Sequence, residues 1–183
     1  MRIGAGQHRG RKLVAPAGRD LRPTAGRTRE ALFDILAHGE PPLAGAHLLD
    51  LFAGTGAVGL EAWSRGAAEV VLVEHDPHAL GLIRTNLERL GHPPGVRLLA
   101  RDATRLGPAE QVFELAFLDP PYRSGLAEPA LAGLLDGGWI APAARVVVEL
   151  AAREPFVPPA RLISDDERRY GAARLVFLRP EPG

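Results

Sequence analysis

The chain has no cysteine among its 183 residues. Disulfides, thiolate zinc sites, iron–sulfur clusters and any Cys-nucleophile mechanism are therefore excluded. Lysine is almost as scarce: Lys12 is the only one among 22 basic residues, the rest being arginine. A Schiff-base enzyme or a Walker-type phosphate loop would need better-placed lysines. Long hydrophobic runs are also missing, and none approaches the ~18 residues that span a bilayer. The N-terminus is polar and basic with no apolar stretch of the signal-peptide kind. No secretory signal is expected there, and the cytoplasm is the default compartment. No repeat or low-complexity segment stands out.

Net charge is zero, but the charges are unevenly distributed. Residues 1–29 hold Arg2, Arg9, Arg11, Lys12, Arg19, Arg22, Arg27 and Arg29 against one acid, Asp20, a balance of +7 that leaves −7 for the remainder. A short charge run is usually solvated surface, yet this density points to a polyanionic partner, with nucleic acid first. Length gives one domain with a small appendage. The expected division is a basic hairpin arm over 1–20, with Gly4, Gly6 and Gly10 between short β-prone pieces, followed by a single domain over 21–183.

The order of patterns after the arm is α/β. "RPTAGRTREALFDILAHG" predicts a helix capped by Thr24, with Ala31, Leu32, Ile35 and Leu36 as its apolar stripe and Gly39 at its end. Strands are expected at 47–52, 69–74, 96–100, 113–119 and 145–150, with two more near 160–164 and 173–178 separated by the polar "SDDERRYGAA". Helices fall between them at about 57–66, from Asp76-Pro77 to about 90, and at about 126–135. Strand–helix alternation of this kind gives a mostly parallel, doubly wound sheet.

The first strand runs into "DLFAGTGAVG", a Gly-x-Gly-x-x-Gly loop through Gly54, Gly56 and Gly59 that opens a helix. Glycines let the backbone approach a ligand closely, and the helix start offers free N–H groups. Glu74 ends the second strand 20 residues beyond Gly54, where an acid can accept from two ribose hydroxyls. A nucleoside-containing cofactor follows, and two fit: a nicotinamide dinucleotide or S-adenosylmethionine. Asp50 favours the second, because a carboxylate repels a pyrophosphate but pairs with an amino acid's ammonium. Asp102-Ala103 after the third strand reads equally well as adenine recognition or as the cap of a helix over "TRLGPAEQ". His75 and His78 lack a third partner nearby in sequence, so no metal is expected.

The fourth strand ends in "LDPPY", Asp119-Pro120-Pro121-Tyr122. Asp and Pro are ordinary turn residues, but at a strand end beside a cofactor loop they make a slot. An exocyclic base amine is a poor nucleophile, since its lone pair is delocalised into the ring. Two acceptors, each taking one N–H, would hold it for in-line displacement. Asp119 offers a carboxylate oxygen and Pro120 a carbonyl whose direction Pro121 fixes, while Tyr122 offers a face for an unpaired base.

These elements resemble class I S-adenosylmethionine-dependent methyltransferases. "RGRKL" (9–13), "RPTAGRTREALFDIL" (22–36), "LDLFAGTGAVGLEAWSRGA" (49–67) and "FLDPPYRSG" (117–125) resemble the RsmD family of bacterial 16S ribosomal RNA guanine-N2 methyltransferases. "GQHRG" and Ala25-Gly26 depart from the family's usual residues. The resemblance implies a Rossmann-like fold with a mostly parallel seven-stranded sheet, its last strand antiparallel, and helices on both faces. It implies S-adenosylmethionine held by Asp50, Phe52, Ala53, Gly54, Thr55, Gly56, Glu74, His75, Asp102 and Ala103. Thr24 and Arg27 at the first helix N-terminus read equally well as receiving the methionine carboxylate or as a cap and a solvated charge. Catalysis falls to Asp119, Pro120, Pro121 and Tyr122. RNA contact falls to Arg9, Arg11, Lys12, Arg22, Arg29 and Arg123, with ribosomal RNA in a small-subunit assembly particle as partner and a monomer as the acting form. Three other functions stay open: another amino methyltransferase acting on adenine, cytosine or a protein glutamine, a nicotinamide oxidoreductase, and a non-catalytic ribosome-assembly binder.

Overall fold

Apolar runs at 47–51, 69–74 and 113–118 have no polar face, so both sides of the strands they form must be covered. The computed structural model describes residues 1–16 and 23–182 and shows how this is done. Strands β1 (His47–Leu51), β2 (Glu69–Glu74), β3 (Val96–Ala100), β4 (Phe113–Leu118), β5 (Ile140–Ala151), β6 (Leu162–Tyr170) and β7 (Ala173–Pro180) form one sheet in the order β3-β2-β1-β4-β5-β7-β6. The first five are parallel, and β7 runs antiparallel to both β5 and β6. Helices α1 (Pro23–Ala37), α2 (Ala57–Ser64) and α3 (Pro77–Arg89) contribute Leu32, Phe33, Ala62 and Ile83 to the core on one face. Helix α4 (Ala127–Asp136) buries Ala127, Ala130, Leu131 and Leu134 on the other. Strand order reverses between β1 and β4, which opens a crevice at their carboxyl ends.

The sequence expectations hold for the order of elements and for the antiparallel last strand. Asp76 caps α3 by accepting from the Ala79 N–H at 2.8 Å, with Pro77 at the first helical position. Three details differ. "SDDERRY" is strand, not connector: β6 is a sheet edge, where charged side chains are tolerated and discourage pairing with other chains, and Arg174 of β7 meets Glu167 across it. The crossover after Asp102 has no helix. Ala103 and Leu106 fill its space as buried side chains, and the Trp139 ring N–H holds the Gly107 carbonyl at 2.8 Å. Helix α1 starts at Pro23, a residue suited to the first turn, so Thr24 is the second residue of the helix and not the one before it.

The N-terminal residues fold back as a small hairpin with an Arg2–Lys12 antiparallel bridge. It packs on α2 through Ile3 and Leu13, buried against Leu60. Gly6 (φ 82°) is required there, since a Cβ would stand 1.9 Å from the Ser64 carbonyl. Ser64 in turn donates to the Ala5 carbonyl and accepts from the His8 N–H. Arg2, Arg9, Arg11 and Lys12 remain exposed.

Candidate functional site

Each of four parallel strands finishes on or beside an acid: Asp50 on β1, Glu74 on β2, Asp119 after β4 and Glu149 on β5. Three of them, Asp50, Asp119 and Glu149, line a recess of about 190 Å³ with Phe52, Ala53, Gly54, Thr55 and Phe117. Register places them together. Phe117 pairs with Asp50 on one side and Val147 on the other, and Asp119 and Glu149 lie two residues further along, on the same sheet face.

The loop between β1 and α2 is held by the acids themselves. Glu74 accepts from the Gly54 N–H at 2.9 Å, and its other oxygen accepts from the His75 and Asp76 N–H groups. Asp50 accepts from the Gly59 N–H at 2.9 Å. Phe52 is left-handed (φ 58°), an uncommon conformation for a bulky residue and typical of functional loops. Gly54 (φ 59°) has only one atom near its missing Cβ, while a Cβ on Gly59 would stand 2.3 Å from Leu72. Gly54 therefore leaves room on the recess side, and Gly59 serves helix-to-sheet packing. Asn86 of α3, fully buried, joins the loop to the hairpin. It donates to the Thr55 and Val14 carbonyls and accepts from the Val14 N–H.

At the slot, Pro120 is buried, Pro121 exposed and Tyr122 38% exposed. The Tyr122 hydroxyl donates to Glu149 at 3.0 Å. Asp119 is exposed at the mouth of the recess that it lines with Glu149 and Asp50. Lost hydration, then Glu149 and Asp50, raise its carboxyl well above the usual carboxylate range. Burial likewise raises Glu149, opposed by the Tyr122 O–H. Asp50, buried, is pushed up to about 7 by loss of hydration, with the Gly59 N–H opposing and Glu74 adding. An acid-rich recess of this kind favours a ligand that brings positive charge.

The other sequence candidates are spread more widely. Asp102 accepts from the Thr104 N–H and hydroxyl in a local turn, and these bonds lower its pKa. Gly56 is buried under the loop, and His75 is exposed with its Nδ1 3.8 Å from Glu74. Arg27 is exposed and does not line the recess, whereas Arg29 does. Arg29 is also not displayed as part of a free basic surface, since it pairs with the buried Glu61 at 3.1 Å and donates to the Arg2 carbonyl. Arg123 is exposed in the turn after the slot, at φ 57°. Arg22 and the Thr24 side chain lie outside the described residues. Among the described residues, no group of three or more metal-ligating acids or histidines is placed to hold a metal ion, and no helix is long and apolar enough to cross a membrane.

Sequence reasoning missed Glu149, Glu61 and Asn86. Glu149 did leave a signal, an acid closing the apolar run "RVVVEL", the same pattern that marks Asp50, Glu74 and Asp119.

A family model described as Conserved hypothetical protein 95 matches residues 1–179. Ribosomal RNA small subunit methyltransferase D of Escherichia coli (strain K12) is 41% identical over 160 residues, covering 86% of this chain and 79% of the relative. The protein of the same name from Haemophilus influenzae is 34% identical over 163 residues, covering 87% and 83%. The solved structure of the yhhF protein of Escherichia coli superposes with a TM-score of 0.84 at 36% identity, covering 100% of this chain and 99% of that one.

Proposed function

The chain belongs to the Conserved hypothetical protein 95 family, that of the ribosomal RNA small subunit methyltransferase D proteins, and from that premise we propose that it methylates the exocyclic N2 amine of a guanine in small-subunit ribosomal RNA. Its cofactor is S-adenosylmethionine, which supplies a methyl group activated by a sulfonium. The lining fits that group. Gly54 leaves room for close approach and Asp50 provides an acid for the ammonium, while Glu74, at the end of neighbouring β2 and bonded to the Gly54 N–H, is the acid for the ribose hydroxyls.

The observation that carries the reading is that Asp119, the first residue of Asp119-Pro120-Pro121-Tyr122, lines the same recess as the glycine loop. Asp119 accepts one N–H of the amine and the Pro120 carbonyl the other, so the nitrogen lone pair is turned toward the methyl donor. Pro121 restricts Pro120 to an extended conformation and fixes its carbonyl. Tyr122 presents its ring to the base, with its hydroxyl tied to Glu149. No strong general base is required: as the N–CH3 bond forms, the S–CH3 bond would break to leave the neutral thioether, and the methylated amine readily releases its proton to Asp119 or to water. The exposed Arg9, Arg11 and Lys12 of the hairpin lead the RNA phosphates toward the slot, with Arg123 beside it. A guanine already unpaired, as in a partly assembled particle in the cytoplasm, enters the slot at the least cost.

The test incubates the protein and labelled S-adenosylmethionine separately with naked small-subunit ribosomal RNA, small-subunit particles, DNA and protein. Label in N2-methylguanosine of the ribosomal RNA is expected. Label in adenine, cytosine or glutamine would assign the slot to another amine, and no label in any pool would leave a binding protein.

A further inference from the structure

Asp119 and Glu149 are register neighbours on adjacent parallel strands, following the Leu118–Val148 pair. Neighbouring strands lie about 4.8 Å apart, near enough for two carboxylates to meet adjacent donors on one base edge. Tyr122 occupies one Glu149 oxygen, and the carboxylate's remaining lone pairs are free to accept another hydrogen. Nothing in methyl transfer to an amine already held by Asp119 and Pro120 needs this second acid. It is also costly to place beside Asp119, since the two repel each other.

The amino groups of the bases differ in what lies next to them. Beside the guanine N2 amine is N1–H, a donor, whereas the adenine and cytosine amines have an acceptor ring nitrogen on their Watson–Crick edge. We propose that Glu149 is a specificity-determining residue of the slot: it accepts the N1–H of the target guanine while Asp119 accepts from its N2 amine, and so rejects adenine and cytosine. This rests on the guanine reading above and explains it. An acceptor-only side chain pairs with the guanine edge and faces a repelling lone pair on the other two bases. The Tyr122 O–H holds the carboxylate in place, so the residue that receives the base also fixes the group that reads it. Arg29 is the one cationic side chain lining the recess among the described residues, and it is engaged by Glu61.

The test uses synthetic ribosomal RNA fragments carrying either guanine or 2-aminopurine at the position that the wild-type protein methylates. 2-Aminopurine keeps the N2 amine but has an acceptor at N1. Rates are measured in mildly alkaline buffer, with Glu149→Gln compared to wild type. The Gln oxygen still accepts from Tyr122, while its amide now offers a donor to the base. The guanine-to-2-aminopurine ratio of kcat/KM should fall by about tenfold to a hundredfold, the discrimination of one well-placed base contact. Loss of the C6 oxygen is common to both proteins and cancels in the comparison. Tyr122→Phe, at an exposed position, is the second variant should Glu149→Gln fail to fold, and it should lower the same ratio by freeing Glu149. A ratio that is unchanged in the folded variants overturns the proposal even though N2-methylguanosine is made. Absence of N2-methylguanosine with the wild-type protein would instead overturn the guanine reading on which it rests.

Discussion

Asp50 is the deepest acid of the site, 1% exposed, with one oxygen on the Gly59 N–H. Burial raises its pKa from 3.8 to about 7. The folded chain therefore keeps a proton that the unfolded chain has lost across that window. The stability gained from this proton is complete below the unfolded value and is lost as pH rises through about 4 to about 7. At about 1.4 kcal/mol per pH unit, the loss comes to about 4 kcal/mol. Asp50→Asn has no proton to lose and keeps an oxygen for Gly59. Any fixed cost of its amide is the same at every pH and cancels. The stability of the variant relative to wild type should thus rise by about 4 kcal/mol between about pH 4 and pH 8, equivalent to roughly 8–16 °C in Tm for a chain of this size. Thermal unfolding of both proteins across that range, followed by circular dichroism, measures it. A Tm difference that does not change with pH would refute the reasoning. S-adenosylmethionine should narrow the gap at the alkaline end, because an ammonium beside Asp50 favours its ionised form.

Other perturbations probe separate links. Asp119→Ala should abolish methyl transfer while calorimetry shows near-normal S-adenosylmethionine affinity, and wild-type turnover would contradict the slot mechanism. Gly59→Ala drives a methyl into Leu72 and Val70 and should cost about 1–3 kcal/mol, or roughly 2–12 °C in Tm, by thermal melt. Asn86→Ala strips partners from Val14 and Thr55 at about 1–3 kcal/mol for each buried group left unpaired, and should weaken cofactor binding by loosening the loop. Replacing Arg9, Arg11 and Lys12 together with Ala should flatten the slope of log RNA affinity against log salt by about 2 to 3 units, and an unchanged slope would remove the hairpin from RNA contact.

Strand and helix order was legible because apolar runs with no polar face, bounded by glycine loops, have few other uses. The glycine loop between β1 and α2 was legible for the same local reason, since its glycines, Asp50 and Glu74 are fixed by a single β-α-β unit. What escaped depended on neighbours distant in sequence. "SDDERRY" has the composition of a loop and becomes a strand only because β7 gives it a partner and its other edge meets solvent. Glu149 acquires a role only when β5 is set beside β4. Arg29 sits in a basic run, and only the fold brings it to Glu61 of α2 and to the recess.

The central claim is that the Asp119 slot delivers a methyl group to guanine N2 in small-subunit ribosomal RNA. Its most direct test is mass spectrometry of nucleosides from ribosomal RNA treated with S-adenosylmethionine and either the wild-type protein or Asp119→Ala. The account predicts N2-methylguanosine with the wild type and none with the variant. Methylation on another base, or N2-methylguanosine at equal levels with both proteins, would contradict it.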